Sequence, residues 1–366
     1  MKKVIAAGHI CLDITPVFPA GRKAASVGAL LVPGKLIHMD PADVHTGGSV
    51  ANTGLALKLL GNDVTLLGKV GDDAFGHMVE SILARYGAGG LLVDPNSSTS
   101  YSVVLAIPGQ DRIFLHNPGA NDTFTGSDIP DEALEGAALF HFGYPPLMQK
   151  MYCDGGTELA SLFARVKAKG IATSLDFAAI DPDSPAGQAD WVGLLAKILP
   201  NVDFFLPSFE ELCLMLDREK YDRLNSLGED MINHLDIDRD VKPLADKLMD
   251  LGCKAVVIKC GTAGMYYRTG SMEDVGRNLD LCREQWDHRT GFQPCFKADI
   301  VRSATGAGDT SIAAFLTAVL RGKGPEDSVA LAAAEGACAV TSYDALGGLQ
   351  PLPKLEERIR NGWQKG

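Results

Sequence analysis

The chain has 366 residues, 46% hydrophobic and 22% charged, with a formal net charge of −12. That makeup is ordinary for a soluble globular protein with one large α/β domain or two smaller ones. The charge argues against nonspecific nucleic-acid binding, which needs Lys and Arg to neutralise phosphates. No apolar run approaches the ~18 residues of a membrane span. The eight cysteines form no C-x-x-C pair, so neither zinc nor a disulfide framework is expected, but reduced thiols.

Val4 to Gly8 reads as a buried strand ending at a glycine. The preceding lysines mimic a signal peptide, but Gly8-His9 and Asp13 break the apolar run, so cytoplasmic location is expected. Asp13 is expected at the C-terminal end of this strand, the edge where open α/β sheets gather ligands; otherwise it satisfies a loop. Residues 14–46 are interrupted by Pro16, Pro19, Gly21, Gly28, Pro33, Gly34 and Pro41. They read as short strands outside the main sheet, a small β lid.

Gly47-Gly48 then opens an amphipathic helix that stops at Gly61, with Asn52 one turn in. Bare glycine N–H groups and a side chain that both donates and accepts suit a polar ligand; the plainer reading is a packing turn. Val64 to Val70 reads as a strand, followed by a Gly71-Asp72-Asp73 turn and a helix with Met78, Val79, Ile82, Leu83 and Tyr86 on its apolar face. Ser100–Ile107 and Arg112–Leu115 read as a hairpin around Pro108–Asp111, and Asn121 follows in a polar loop. From residue 138 strands and helices alternate, with strands at 138–143, 172–176, 203–206 and 255–259. This rhythm implies a mostly parallel sheet covered on both faces. Residues 271–298 read as an irregular insertion, and Ser328 to Val340 as an alanine-rich helix.

The stretch Ser303-Ala304-Thr305-Gly306-Ala307-Gly308-Asp309-Thr310 stands out. Behind it Ile312, Phe315, Leu316, Val319 and Leu320 recur at helical spacing up to Gly322. A glycine-rich turn opening a helix offers unpaired N–H groups and the positive end of the helix dipole to an anion. Asp309 in that first turn either caps the helix or takes a proton from a hydroxyl nucleophile. The motif is neither a dinucleotide fingerprint nor a P-loop.

Taken together, these pieces resemble the PfkB, or ribokinase-like, carbohydrate kinases over nearly the whole chain. Gly8 with Asp13, Gly47-Gly48-x-x-x-Asn52, Val64 to Gly76, Leu206-Pro207-Ser208-x-x-Glu211, Lys259-Cys260-Gly261-x-x-Gly264 and Thr305 to Asp309 follow the family's motifs in order. The resemblance implies a single 1–366 domain with a three-layer α/β/α core, a mostly parallel sheet and a small β-sheet lid formed by 14–46 and 98–121. It implies transfer of the ATP γ-phosphoryl group to a hydroxyl of a sugar or sugar acid. Asp309 would be the general base and the amides of Gly306, Ala307 and Gly308 the anion hole. Asp13, Gly47, Gly48, Asn52 and Asn121 would hold the sugar. Ser208, Lys259, Gly261 and Gly264 would line the ATP site, and Glu211 would position Mg²⁺. A homodimer through the lid is implied as well. Two departures stand out: Ser208 replaces the usual asparagine of the Asn-x-x-Glu motif. Ser303 replaces an aspartate that ligates a monovalent cation, which puts potassium activation in question. A nucleoside or phosphosugar acceptor, or a non-catalytic ligand-binding role, would also fit the fold. A phosphosugar would call for Arg22, Lys23, Lys35 or Arg112 of the lid to meet its phosphate.

Overall fold

A computed structural model describes residues 2–19, 27–107, 112–228 and 230–366. Fourteen strands are described. They are β1 (Lys3–Gly8), β2 (Cys11–Val17), β3 (Asp40–Gly47), β4 (Asp63–Leu67), β5 (Lys69–Gly71), β6 (Leu92–Asp94) and β7 (Tyr101–Leu105). There follow β8 (Ile113–Asn117), β9 (Ala137–Gly143), β10 (Ala172–Asp176), β11 (Phe204–Phe205), β12 (Ala255–Cys260), β13 (Gly264–Thr269) and β14 (Thr290–Pro294).

The main sheet has eight strands in the order β14-β13-β12-β11-β10-β9-β1-β4. Every pair is parallel except β12–β13 and β13–β14. Its strands alternate between two cores, as period-two geometry demands. Ile5, Phe140, Phe142, Leu175, Val256 and Ile258 face helices Thr157–Ala168, Trp191–Ile198, Phe209–Leu216 and Lys242–Asp250. Val4, Ala138, Ala172, Ala255 and Val257 face helices Ala307–Leu320, Pro325–Ala339 and Leu352–Arg360. This is the expected α/β/α layering. The alanines of Pro325–Ala339 let it pack closely on Ala307–Leu320, where Ala313, Ala314 and Ala318 are buried against Ala332, Ala333 and Ala334.

A separate four-stranded sheet, in the order β3-β2-β7-β8, crosses the end of the main sheet. The expected hairpin is present as antiparallel β7 and β8; its turn, Pro108–Asp111, lies outside the described residues. Asp13 differs from expectation. The chain leaves β1 at Gly8 and starts β2 at Cys11, so Asp13 sits inside the small sheet, opposite His45 of β3 and Ser102 of β7. The strand read over Val64–Val70 divides at Gly68: β4 stays in the main sheet and β5 pairs with β6. Residues 271–298 are more than an insertion. They supply β14, the edge of the main sheet, and Trp286, whose ring packs on Phe204 and Phe315. Their polar sequence concealed an edge strand, because such a strand needs only one apolar face.

Candidate active site

The site lies where the C-terminal ends of the parallel strands meet the small sheet. Gly306 precedes the helix Ala307–Leu320 with φ 71°, and a side chain there would overlap Ala345. Only glycine fits both the left-handed turn and the crowding. The turn before it is braced by Ser303, whose hydroxyl accepts from the Thr305 amide at 3.1 Å. The amides of Arg302 and Ser303 both donate to the carbonyl of Val340. At the helix start the Ala307 amide makes one long bond, 3.3 Å, to the carbonyl of Ala304.

Asp309 sits one turn in, 5% exposed, and it does not act as the helix cap. Its carboxylate is gripped from two distant parts of the chain. Asn52 Nδ2 donates to Oδ2 and Thr53 Oγ1 donates to Oδ1, each at 3.1 Å. The Tyr144 hydroxyl spans both oxygens, at 2.8 and 2.9 Å. Tyr144 follows β9 with φ 65°, a left-handed conformation that costs a non-glycine residue roughly 1–2 kcal/mol. Strain of this kind concentrates at functional positions.

Across the pocket, burial pushes the Asp13 carboxyl above its usual range, and Asp309 adds to the push; Cys11, Ser102 and His45 oppose it. The two carboxylates therefore feel one another. Gly47 lies directly against Asp13, since a Cβ there would overlap its carboxylate. Gly48, at φ 84°, starts the helix Ser49–Leu59 that carries Asn52 and Thr53.

On the nucleotide side expected from the sequence, Lys259 of β12 pairs with Asp176 at the end of β10, Nζ to Oδ1 at 2.7 Å. Asp176 is fully buried. Burial drives its pKa up, with Glu211 and Asp309 pushing the same way and Lys259 opposing. Burial works against the Lys259 ammonium, but Asp176, Glu211 and Asp309 together outweigh it and its pKa is raised. A Cβ on Gly308 would lie 3.8 Å from Lys259 Nζ, so the cation stands beside the start of the Asp309 helix. Ser208 and Glu211 form a capping box on the helix Phe209–Leu216: the Ser208 amide donates to Glu211 Oε2 at 2.8 Å and the Glu211 amide to Ser208 Oγ at 3.2 Å. Gly261 and Gly264 shape the tight turn between β12 and β13.

The structure thus brings Asp309, Asn52, Asp13, Gly47 and Gly48 into one group and joins Lys259 and Glu211 to it through Asp176. Asn121 stands apart from that group. It is fully buried, with its amide bonded to both the N–H and the carbonyl of Ile10 and to the carbonyl of Pro118. It braces the β1–β2 connection. Thr53, Asp176 and Tyr144 were missing from the sequence reading. Asp176 carried a usable signal, a carboxylate ending a parallel strand. Tyr144 carried none.

A buried carboxylate near the strand ends, beside a glycine-led helix start and a paired lysine, marks a polar site in an α/β fold. The sequence profile described as pfkB family carbohydrate kinase matches residues 11–351, and the chain belongs to that family, phosphotransferases with an alcohol group as acceptor. It is 26% identical to fructokinase-2 of Oryza sativa subsp. japonica over 322 residues, 87% of this chain and 80% of the relative. It is 25% identical to the probable fructokinase-5 of Arabidopsis thaliana, covering 99% and 98% of the two chains. Among solved structures it resembles Arabidopsis thaliana ribokinase complexed with ribose and ATP, with TM-score 0.71, 19% identity and coverage of 98% and 99%. It also resembles a putative ribokinase II from E. coli in complex with ATP and Mg²⁺, with TM-score 0.69, 20% identity and coverage of 99% and 100%.

Proposed function

We propose that the protein is an ATP-dependent sugar kinase whose acceptor is a neutral sugar. The observation that carries this reading is the Asp309 carboxylate, held by Asn52, Thr53 and Tyr144 one turn into the helix that opens at Gly306. Asn52 and Thr53 fix the carboxylate plane. Asp309 takes the proton of the acceptor hydroxyl as its oxygen attacks the γ-phosphorus, whose bond to the β,γ-bridging oxygen breaks so that ADP leaves. The amides of Gly306, Ala307 and Gly308, with Lys259 beside them, stabilise the charge on the phosphoryl oxygens. Positioning and charge stabilisation supply nearly all the catalysis in such a transfer.

Magnesium suits the residues present. Asp176 and Glu211 already repel one another, so a dication relieves them. Glu211 would hold its waters, and the ion would neutralise the charge shared by the β- and γ-phosphates.

The acceptor side favours a neutral sugar over a sugar acid or phosphosugar. Asp309 adds to the upward push on Asp13, so an anionic acceptor would meet a second carboxylate. Of the basic lid residues, Arg22 and Lys23 lie outside the described residues, Lys35 is exposed, and Arg112 lies over the ring of Phe114 at 5.7 Å. Pairing of two chains through the small sheet belongs to the same proposal, with Phe114 and Leu115 exposed on its edge strand β8. An ADP-release assay over free sugars, sugar acids, nucleosides and phosphosugars tests the reading. Turnover is expected with a neutral sugar. ATP binding without turnover across the panel would overturn it in favour of a non-catalytic role.

A further inference from the structure

His9 follows β1 directly, and its ring is 1% exposed. Neither Nδ1 nor Nε2 has a hydrogen-bond partner. Burying a polar group without a partner costs about 1–3 kcal/mol, and native structures keep such orphans where something else completes them.

The surroundings say where that something lies. Gly48, which opens the helix carrying Asn52 and Thr53, closes on the ring; a Cβ there would stand 2.6 Å from His9 Nδ1. The amide of Val50, in the same helix, donates to the His9 carbonyl. On the other side the His9 ring is 5.2 Å from His116 of β8 and 6.0 Å from Tyr144, centroid to centroid. Tyr144 is the residue whose hydroxyl rests on Asp309. His9 is thus walled by the lid, the Asn52 helix and the partner of the base.

Burial, with His116 adding, holds the His9 pKa well below its ordinary value, so the imidazole is neutral. One ring nitrogen then donates and the other accepts. A hydroxyl both donates and accepts and can satisfy either nitrogen; an ionised carboxylate or phosphate only accepts.

We infer that His9 is an acceptor-binding residue: it takes a second hydroxyl of the sugar whose reacting hydroxyl faces Asp309. This rests on the sugar-kinase reading above. It makes the site selective for polyols with two hydroxyls in a fixed relation over monohydric alcohols.

The wild-type protein is first assayed with D-fructose, D-ribose, D-glucose and myo-inositol, and the compound phosphorylated fastest is kept. If none is phosphorylated, the kinase reading fails and the role of His9 falls with it. His9→Phe and His9→Asn are then compared with wild type. His9→Phe is expected to raise KM for the sugar about 10–100-fold, the worth of one to two well-made hydrogen bonds, with KM for ATP within about twofold. Its Tm should match or exceed that of wild type, because an apolar ring removes an unsatisfied polar group. His9→Asn, which keeps a donor and an acceptor, should fall between the two. An unchanged sugar KM in both variants overturns the inference. A lower Tm for His9→Phe with unchanged KM also overturns it and assigns the ring to a buried water. Should His9→Phe fail to fold, His9→Asn and the ¹⁵N imidazole resonances of the wild-type protein decide. Adding the sugar without ATP must shift the His9 nitrogens, and no shift counts against the role.

Discussion

Tyr144 places its hydroxyl on both oxygens of Asp309, at 2.8 and 2.9 Å, from a left-handed backbone position at the end of β9. A phenol has one hydrogen to give, so the bond is shared. On the function proposed above, an acceptor hydroxyl would take one oxygen and leave Tyr144 the other. Removing the phenol leaves the carboxylate held by Asn52 and Thr53 alone. Tyr144→Phe is expected to lower kcat about 10-fold, equivalent to ~1.4 kcal/mol and in the range of one net hydrogen bond. Steady-state kinetics with the preferred sugar check this, and an unchanged kcat would show the contact to be idle in turnover.

Asp309→Asn keeps the shape of the side chain and loses the proton acceptor. Turnover should fall ~10²–10⁴-fold, the range for losing a general base, with the circular dichroism spectrum and Tm close to wild type. Near-normal activity would remove Asp309 from the chemistry.

Gly47→Ala places a methyl group where the Asp13 carboxylate now lies. Asp13 is short and tied to Cys11, with the thiol donating to Oδ1 at 3.3 Å, so it must be displaced. KM for the sugar should rise at least about 10-fold, while nucleotide affinity measured by calorimetry stays within about twofold.

Lys259→Met strands Asp176 in the interior without its cation. Breaking one side of a buried pair costs about 3–5 kcal/mol, readable in urea unfolding. The double variant Lys259→Met/Asp176→Asn should recover most of that stability and none of the kinase activity. Recovery of activity would limit Lys259 to a structural task.

Glu335, in the helix Pro325–Ala339, is fully buried, and burial pushes its pKa up to about 8. Oε1 accepts from the Gln350 amide, and Oε2 has no partner. Between the ordinary glutamate pKa and about 8 the unfolded chain is ionised while the folded protein keeps its proton. The stability this group contributes is therefore whole below that window and is lost as pH rises through it. Glu335→Gln keeps the acceptor for Gln350 and cannot ionise. Its Tm should exceed that of wild type by a few degrees at pH 8 and match it near pH 4.5; parallel Tm curves would refute the assignment.

The alternation of strands and helices after residue 138 was readable because buried parallel strands are continuous apolar runs. Ala172–Asp176 was placed to the residue. The Asp309 turn was readable for a related reason, since small residues before a periodic helix have few other uses. The β14 edge was not, because an antiparallel edge strand carries half the apolar signal. Tyr144, Thr53 and His9 were not, because each gains meaning from what it meets. His9 looked only like an interruption of an apolar run, and its unmet ring nitrogens exist only in three dimensions. Asn121 shows the opposite case: a polar loop residue whose amide is tied to backbone, which no sequence signal announces.

The grip on Asp309 also bears on synthesis. Its partners Asn52, Thr53 and Tyr144 lie 257, 256 and 165 residues away along the chain. A nascent chain leaving the ribosome holds those three side chains long before residue 309 emerges. Contacts at such separation close late, so the cluster around Asp309 assembles only when the final helices dock. A partly made or partly folded copy lacks it.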